Sequence, residues 1–97
     1  MRRIDITGQY KKDLKIARKR NLQEEELNKV ILALAMDEEL PESCHDHALI
    51  GRFKGFRECH INPDWLLIYS KSEEGVVSIL TLVRTGTHSD LFGKNRK

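Results

Sequence analysis

The apolar residues of this chain change their spacing halfway along it, and this change constrains the fold more than any other feature. Between residues 9 and 36 they recur every three or four positions, as in amphipathic helices. Beyond residue 52 they alternate, or run continuously in short stretches bounded by turn residues, as in strands. A helical half followed by a strand half predicts an α+β fold, with helices packed on one face of a mostly antiparallel sheet.

The first half predicts one strand and two helices. Residues 2–6 alternate as a short strand, and Thr7 is of a type that caps helices. Residues 9–20 then carry one apolar stripe and a broad basic face. A second helix is expected from residue 21 to about residue 36, with Asn21 as its cap and three glutamates in its first turn. The two helices form a hairpin whose apolar faces need a partner.

The second half predicts a meander of about four strands. They are expected at residues 52–57, about 58–61, 65–70 and 76–84. The apolar run at 65–69 is suited to a central strand covered on both faces. With the opening strand, this gives a four- to five-stranded sheet. A chain of 97 residues has room for one such domain, assigned to residues 1–93, and the basic residues 94–97 are expected to fray.

The charged residues are unevenly distributed. Residues 1–20 hold eight basic and two acidic side chains, whereas residues 21–50 hold one basic and eight acidic. A basic face on the first helix could meet either a nucleic acid or an acidic protein. This basic helix face consists of Lys11, Lys12, Lys15, Arg18, Lys19 and Arg20.

Composition also bears on the compartment. No apolar run approaches the roughly 18 residues of a membrane span, and the first residues lack the apolar segment of a secretory signal. We therefore expect a cytoplasmic protein without a membrane partner. The two cysteines, Cys44 and Cys59, are expected to be reduced thiols.

Three histidines lie beside turn signals near the ends of predicted strands: His47, His60 and His88. Strand ends of a meander can converge on one face, and histidine exchanges protons near neutral pH. With Asp64 and Arg84 nearby in the sequence, the set has the parts for acid–base chemistry and for stabilising an anion.

Other kinds of site fit the sequence less well. Residues 44–47 are rich in metal-ligand types but lack the spacings of known zinc motifs, so no metal or other cofactor is expected. The glycines form no phosphate-binding loop, and no serine lies in a nucleophile elbow.

Three segments carry a resemblance to a known family. They read H-x-L-x-G at 47–51, R-x-x-H-x-x-P-D-W at 57–65 and R-T-G-T-H-x-x-L-F at 84–92. Together they closely resemble the YafQ family of bacterial toxins, within the RelE/ParE superfamily of toxin–antitoxin systems. The resemblance extends from the opening strand to Phe92, and its fold, a helical hairpin on a small antiparallel sheet, matches the predicted order of elements.

The resemblance implies a toxin that acts as a ribosome-dependent endoribonuclease and cuts mRNA in the decoding site. It also implies that the RNA's own 2′-hydroxyl attacks the adjacent phosphate without a metal ion, and that this cleavage inhibits translation. Its implied partners are a cognate antitoxin, the ribosome and mRNA. The functional positions it carries over are His47, His60, Asp64, Trp65, Arg84, His88 and Phe92.

The roles of these residues are hypotheses. We expect His88 to be the general acid, and His47 or His60 to be the general base. Asp64 would orient them or share a proton with them, and Arg84 would stabilise the charge on the phosphate. The aromatic residues Trp65 and Phe92 would contact RNA bases. The resemblance gives His45 no role, so we treat it as a surface residue.

Two other functions remain open from the sequence. A relative with the same fold can be a non-catalytic, ParE-like inhibitor of DNA gyrase, because a shared fold does not prove a shared function. A generic RNA- or protein-binding module is the other alternative. A gyrase inhibitor does not require three histidines and an arginine on one surface, so the catalytic interpretation is favoured over it. A binding module is distinguished by His88→Ala, which in a nuclease should abolish toxicity and leave binding nearly intact.

Overall fold

The computed structural model describes residues 1–93, so the prediction made for residues 94–97 lies outside the described residues. It contains three helices and a five-stranded sheet, which confirms the predicted α+β fold. The elements are β1 (Arg3–Ile6), α1 (Gly8–Lys19), α2 (Glu24–Ala35), β2 (His47–Ala48), β3 (Arg57–Asn62), β4 (Trp65–Glu74), β5 (Val77–Gly86) and α3 (His88–Phe92). None of the helices in residues 1–93 is long and apolar enough to cross a membrane.

The strands lie in the order β1-β5-β4-β3-β2. Strands β2 to β5 pair antiparallel with their neighbours, as a meander requires. Strand β1 runs parallel to β5, and the helical hairpin carries the chain from β1 at one edge of the sheet to β2 at the opposite edge. The sheet is therefore mixed but mostly antiparallel, as predicted.

The two long helices begin differently. Thr7 caps α1 as expected: its hydroxyl accepts from the backbone N–H of Tyr10 and donates to the carbonyl of Val83 on β5. The predicted cap of α2 is wrong. Asn21 has a φ of 58°, in the left-handed region, whereas a capping residue needs an extended backbone, and α2 begins after Gln23 without a side-chain cap.

The segment from residue 52 to residue 57 was predicted as a strand, and this is also wrong. Residues Gly51–Phe53 form a 3-10 turn, and only Arg57 belongs to a strand. Gly51 and Gly55 have φ values of 71° and 97°, which a strand does not accommodate. The two-residue strand β2, which the sequence did not indicate, pairs with the start of β3 instead.

The sheet carries a core on each face. One face packs against α1 and α2, and its cluster includes Trp65, Leu67 and Tyr69 of β4. The other face carries Leu66 and Ile68 with Leu91 of α3. Strand β4 is therefore buried on both faces from Trp65 to Tyr69, as its continuous apolar run predicted.

Candidate active site

Four rings from three separate segments form a row on the α3 face of the sheet. His45 precedes β2, His60 lies on β3, and His88 and Phe92 lie on α3. The ring centroids are 5.4 Å apart for His45 and His60, 6.0 Å for His60 and His88, and 5.8 Å for His88 and Phe92. His60 pairs across the strands with Leu66, which places it on the face opposite the helical hairpin.

His60 is the half-buried histidine of this row. Loss of hydration on burial lowers the pKa of its imidazole below the ordinary value of 6.5. The buried carboxylate of Glu58 opposes this shift, and the neighbouring imidazoles of His45, His88 and His47 reinforce it. His60 is therefore neutral at neutral pH, in the form that accepts a proton.

His47 lies beside the row on β2, and an oxygen atom faces each of its ring nitrogens. Its Nδ1 is 2.7 Å from the carbonyl oxygen of His45, and a carbonyl only accepts, so Nδ1 carries the proton. Its Nε2 lies 3.3 Å from the carboxylate of Glu58, which is 5% exposed. To exchange a proton with a substrate through Nδ1, the ring would first have to leave the carbonyl of His45.

His88 is the first residue of α3, and a capping box fixes it there. The Thr87 hydroxyl accepts from the backbone N–H of Asp90, and the Asp90 carboxylate accepts from the backbone N–H of Thr87. Asp64, in the exposed turn between β3 and β4, lines the same shallow depression as His88. The structure therefore brings together three of the predicted catalytic residues: His60, His88 and, at the edge of the depression, Asp64.

Arg84 lies in a different depression, against α1. Its Nε and Nη2 each donate to the carboxylate of Asp13 at 3.0 Å, and this carboxylate raises the pKa of the guanidinium. None of the residues lining this depression lines the cavity of His60 or the depression of His88. The sequence did not suggest that Arg84 is paired.

The two aromatic residues predicted to contact RNA differ in exposure. Phe92 is half-buried at the end of the row, and its ring meets that of Phe53 at 5.8 Å and 87°. Trp65 is only 1% exposed, and its indole N–H donates to the Thr85 hydroxyl at 2.7 Å. The expectation that Trp65 stacks on a base is therefore corrected: its ring is part of the core and supports β5.

The basic helix face is divided by ion pairs. Arg18 contacts Glu24 of α2, and Arg20 contacts Asp90 of α3. The four lysines of the face are exposed: Lys11, Lys12, Lys15 and Lys19. Arg20 thus contacts the carboxylate that caps the helix of His88.

Sequence reasoning missed three contributors to the site. His45 was treated as surface, yet its ring contacts His60 and its carbonyl holds His47. Asp13 and Glu58 received no role, although they bind Arg84 and His47. The density of histidines at residues 45–47 was the one signal available for His45.

In residues 1–93, no group of three or more His, Cys, Asp or Glu side chains is arranged to hold a metal ion.

Comparison with known proteins identifies the family of this chain. The sequence profile described as "Bacterial toxin of type II toxin-antitoxin system, YafQ" matches residues 2–93. The "mRNA interferase toxin YafQ" of Escherichia coli strain K12 is 42% identical over 94 residues, which are 95% of this chain and 97% of that protein.

Solved structures give the same result. The crystal structure of YafQ from E. coli strain BL21(DE3) superimposes with a TM-score of 0.86 at 37% identity, over 96% of this chain and all of that one. The crystal structure of the E. coli DinJ–YafQ toxin–antitoxin complex gives 0.83 at 41% identity, over 95% of this chain and 98% of that one. The chain belongs to the YafQ family of bacterial toxins of type II toxin–antitoxin systems.

Proposed function

We propose that this chain is an mRNA interferase, an endoribonuclease that cleaves mRNA in the decoding site of the ribosome and so stops translation. The observation that carries the proposal is the pair of imidazoles from separate elements, His60 and His88, with ring centres 6.0 Å apart. Two imidazoles at this separation can contact opposite sides of one phosphodiester group. The relative from E. coli that is named an mRNA interferase supports the same activity.

The proposed reaction requires two proton transfers. The 2′-oxygen of one nucleotide forms a bond to the adjacent phosphorus while the bond from phosphorus to the next 5′-oxygen breaks. A base takes the 2′-hydroxyl proton, and an acid gives a proton to the leaving oxygen. The products are a 2′,3′-cyclic phosphate and a 5′-hydroxyl, and no metal ion takes part in this scheme.

We assign His60 as the general base and His88 as the general acid. Burial keeps the His60 ring neutral, and no residue from 1 to 93 forms a hydrogen bond to its nitrogens. The alternative base, His47, has its Nδ1 hydrogen-bonded to the carbonyl of His45 and its Nε2 facing the carboxylate of Glu58. His88 is exposed on α3 and can approach the leaving oxygen. Asp64, in the same depression as His88, would orient the acid.

Arg84 would bind the phosphate while it remains paired with Asp13. Within the described residues, the contacts to Asp13 use Nε and Nη2, which leaves Nη1 for an anion. Phe92 would contact a base beside the scissile bond, because aromatic rings stack on bases that are not paired.

The exposed lysines of α1 fit a polyanionic partner. Ribosomal RNA and an acidic segment of a cognate antitoxin are both compatible with this surface. The toxin YafQ of E. coli has been crystallised with DinJ, which supports the proposal that an antitoxin controls this chain as well. Both partners would be met in the cytoplasm.

Cleavage of mRNA on stalled ribosomes tests this proposal. The purified chain is added to a ribosome–mRNA complex, and to the same mRNA without ribosomes, with a chelator in both samples. We expect new mRNA ends in the decoding site, with a 5′-hydroxyl on the downstream fragment. A folded, toxic chain that leaves both samples uncut would contradict the proposal and favour a gyrase inhibitor or a binding protein.

The pH dependence of cleavage tests the assignment of the base. Single-turnover rates should rise with pH as His60 loses its proton, and the midpoint of this rise should lie below 6.5 because burial lowers the pKa of His60. The rates should fall again when the acid loses its proton. The carboxylate of Glu58 raises the pKa of His60, so Glu58→Gln should move the rising limb to lower pH.

The control for this experiment is Glu73→Gln, which alters an exposed carboxylate in the hairpin of β4 and β5. This variant should leave the profile unchanged. A rising limb that stays in place in Glu58→Gln, or a flat profile from pH 5 to pH 9, would rule out His60 as the base.

A further inference from the structure

We propose that the cavity beside His60 binds the base of the nucleotide whose 2′-hydroxyl attacks, with His45 as its wall and as a determinant of sequence preference. This inference rests on the proposed nuclease activity and on His60 as the general base. The cavity lies between the Glu42–Cys44 turn and the turn from β3 to β4. Its lining residues are Ser43, Cys44, His45, His60, Ile61, Asn62 and Pro63.

The shape and chemistry of the cavity suit a nucleobase. Its volume of about 580 Å³ falls in the range of small-molecule sites, roughly 300–1,000 Å³. The His45 and His60 rings meet at 68°, so one ring can stack on a base while the other faces the sugar. Ile61 and Pro63 supply apolar contacts, and Ser43 and Asn62 supply polar groups that can distinguish one base edge from another.

The position of the cavity selects which nucleotide it would bind. A base catalyst must reach the 2′-hydroxyl of the nucleotide on the 5′ side of the scissile bond. Because His60 lines the cavity and His88 does not, the cavity adjoins the attacking nucleotide and not the leaving one. The base of that nucleotide is therefore within reach of His45 when its sugar contacts His60.

The backbone of His45 holds its ring in this place. His45 has φ 48° and ψ 44°, a left-handed backbone conformation that residues other than glycine uncommonly adopt. The same backbone directs the carbonyl of His45 to Nδ1 of His47. Two roles are thus possible for His45, a contact with the substrate through its ring or the support of His47 through its carbonyl, and the experiment must separate them.

The test measures cleavage of ribosome-bound mRNAs that differ only in the base on the 5′ side of the mapped scissile bond. His45→Asn removes the ring but keeps a residue that tolerates the left-handed backbone and keeps the carbonyl. We expect it to raise the toxin concentration for half-maximal rate by roughly fivefold or more, as loss of one base stack does, and to reduce differences among the four bases. His45→Phe should keep the half-maximal concentration close to that of the original chain, because it keeps an aromatic face.

Asn21→Ala is the matched control, because Asn21 has φ 58° and lies outside the cavity. It places a residue that disfavours the left-handed backbone at a site outside the cavity, and it should leave both the half-maximal concentration and the base preference unchanged. Thermal unfolding of each variant verifies that it is folded. If His45→Asn lowers only the maximal rate, or changes neither quantity, while the original chain cleaves, the inference is overturned and the nuclease proposal stands. If the original chain does not cleave, both fail.

Discussion

Replacing His88 with alanine is expected to lower the maximal rate of mRNA cleavage by roughly 10²–10⁴-fold, the usual contribution of a general acid. The leaving 5′-oxygen is a poor leaving group unless it receives a proton as its bond to phosphorus breaks. His88 is exposed and its side chain carries none of the hydrogen bonds that cap α3, which are made by Thr87 and Asp90. The variant should therefore fold and should still bind the ribosome.

The measurement is single-turnover cleavage at saturating toxin, together with co-sedimentation of the variant with ribosomes. His88→Gln, which keeps a polar side chain of similar size, should be as impaired as His88→Ala if proton donation is what is lost. Val76→Ala at the fully exposed tip of the β4–β5 hairpin is the control, and it should cleave normally. If ribosome binding falls in parallel with cleavage, or if the glutamine variant retains most of the rate, His88 is a binding residue and not the acid.

The helices could be predicted because their information is local. The first helix was expected at residues 9–20 and is observed at Gly8–Lys19, since apolar spacing and the Thr7 cap both lie within the segment itself. The segment at 52–57 was misassigned because its aromatic residues are placed by a distant partner. Phe53 packs on Phe92, which is nearly forty residues further along the chain and on a separate element. No local pattern indicates such a contact.

The convergence of His60 and His88 could be expected because both follow from the meander, in which neighbouring strand ends share a face. The burial of Trp65 could not be predicted, because an aromatic residue at the start of an apolar strand is equally compatible with the core and with a binding surface. The ion pair of Arg84 with Asp13 could not be predicted for another reason. Asp13 lies 71 positions earlier, on the polar side of a helix where a solvent-exposed aspartate was the ordinary expectation.

Replacement of this aspartate is the second change from which we expect a large effect, a loss of stability. Asp13 is 5% exposed and accepts four hydrogen bonds, two from Arg84, one from the backbone N–H of Thr85 and one from the side chain of Gln9. Removing one partner of a buried ion pair lowers the free energy of unfolding by more than the intact pair contributes, because the remaining charge stays buried without an opposite charge beside it. The buried N–H of Thr85 would also lose its acceptor.

We therefore expect Asp13→Ala to lower the free energy of unfolding by about 3 kcal/mol, less than for a fully buried pair because water reaches Arg84, whose side chain is 23% exposed. Urea unfolding should show this as a lower midpoint with an unchanged slope. Asp13→Asn should lose less, because its amide oxygen can still accept from Thr85.

The chain contains its own control for this prediction. Arg3 and Asp5 form a pair with nearly the same two-point geometry, at 3.1 Å for both contacts, but on the exposed strand β1. Solvent and salt screen that pair, so Asp5→Ala should leave the unfolding midpoint almost unchanged. Equal losses in the two variants would mean that burial is not what gives the Asp13 contact its strength. A large loss in Asp13→Ala alone would show that the buried contacts of Asp13 link α1 to β5, the strand that carries the arginine proposed to bind the phosphate.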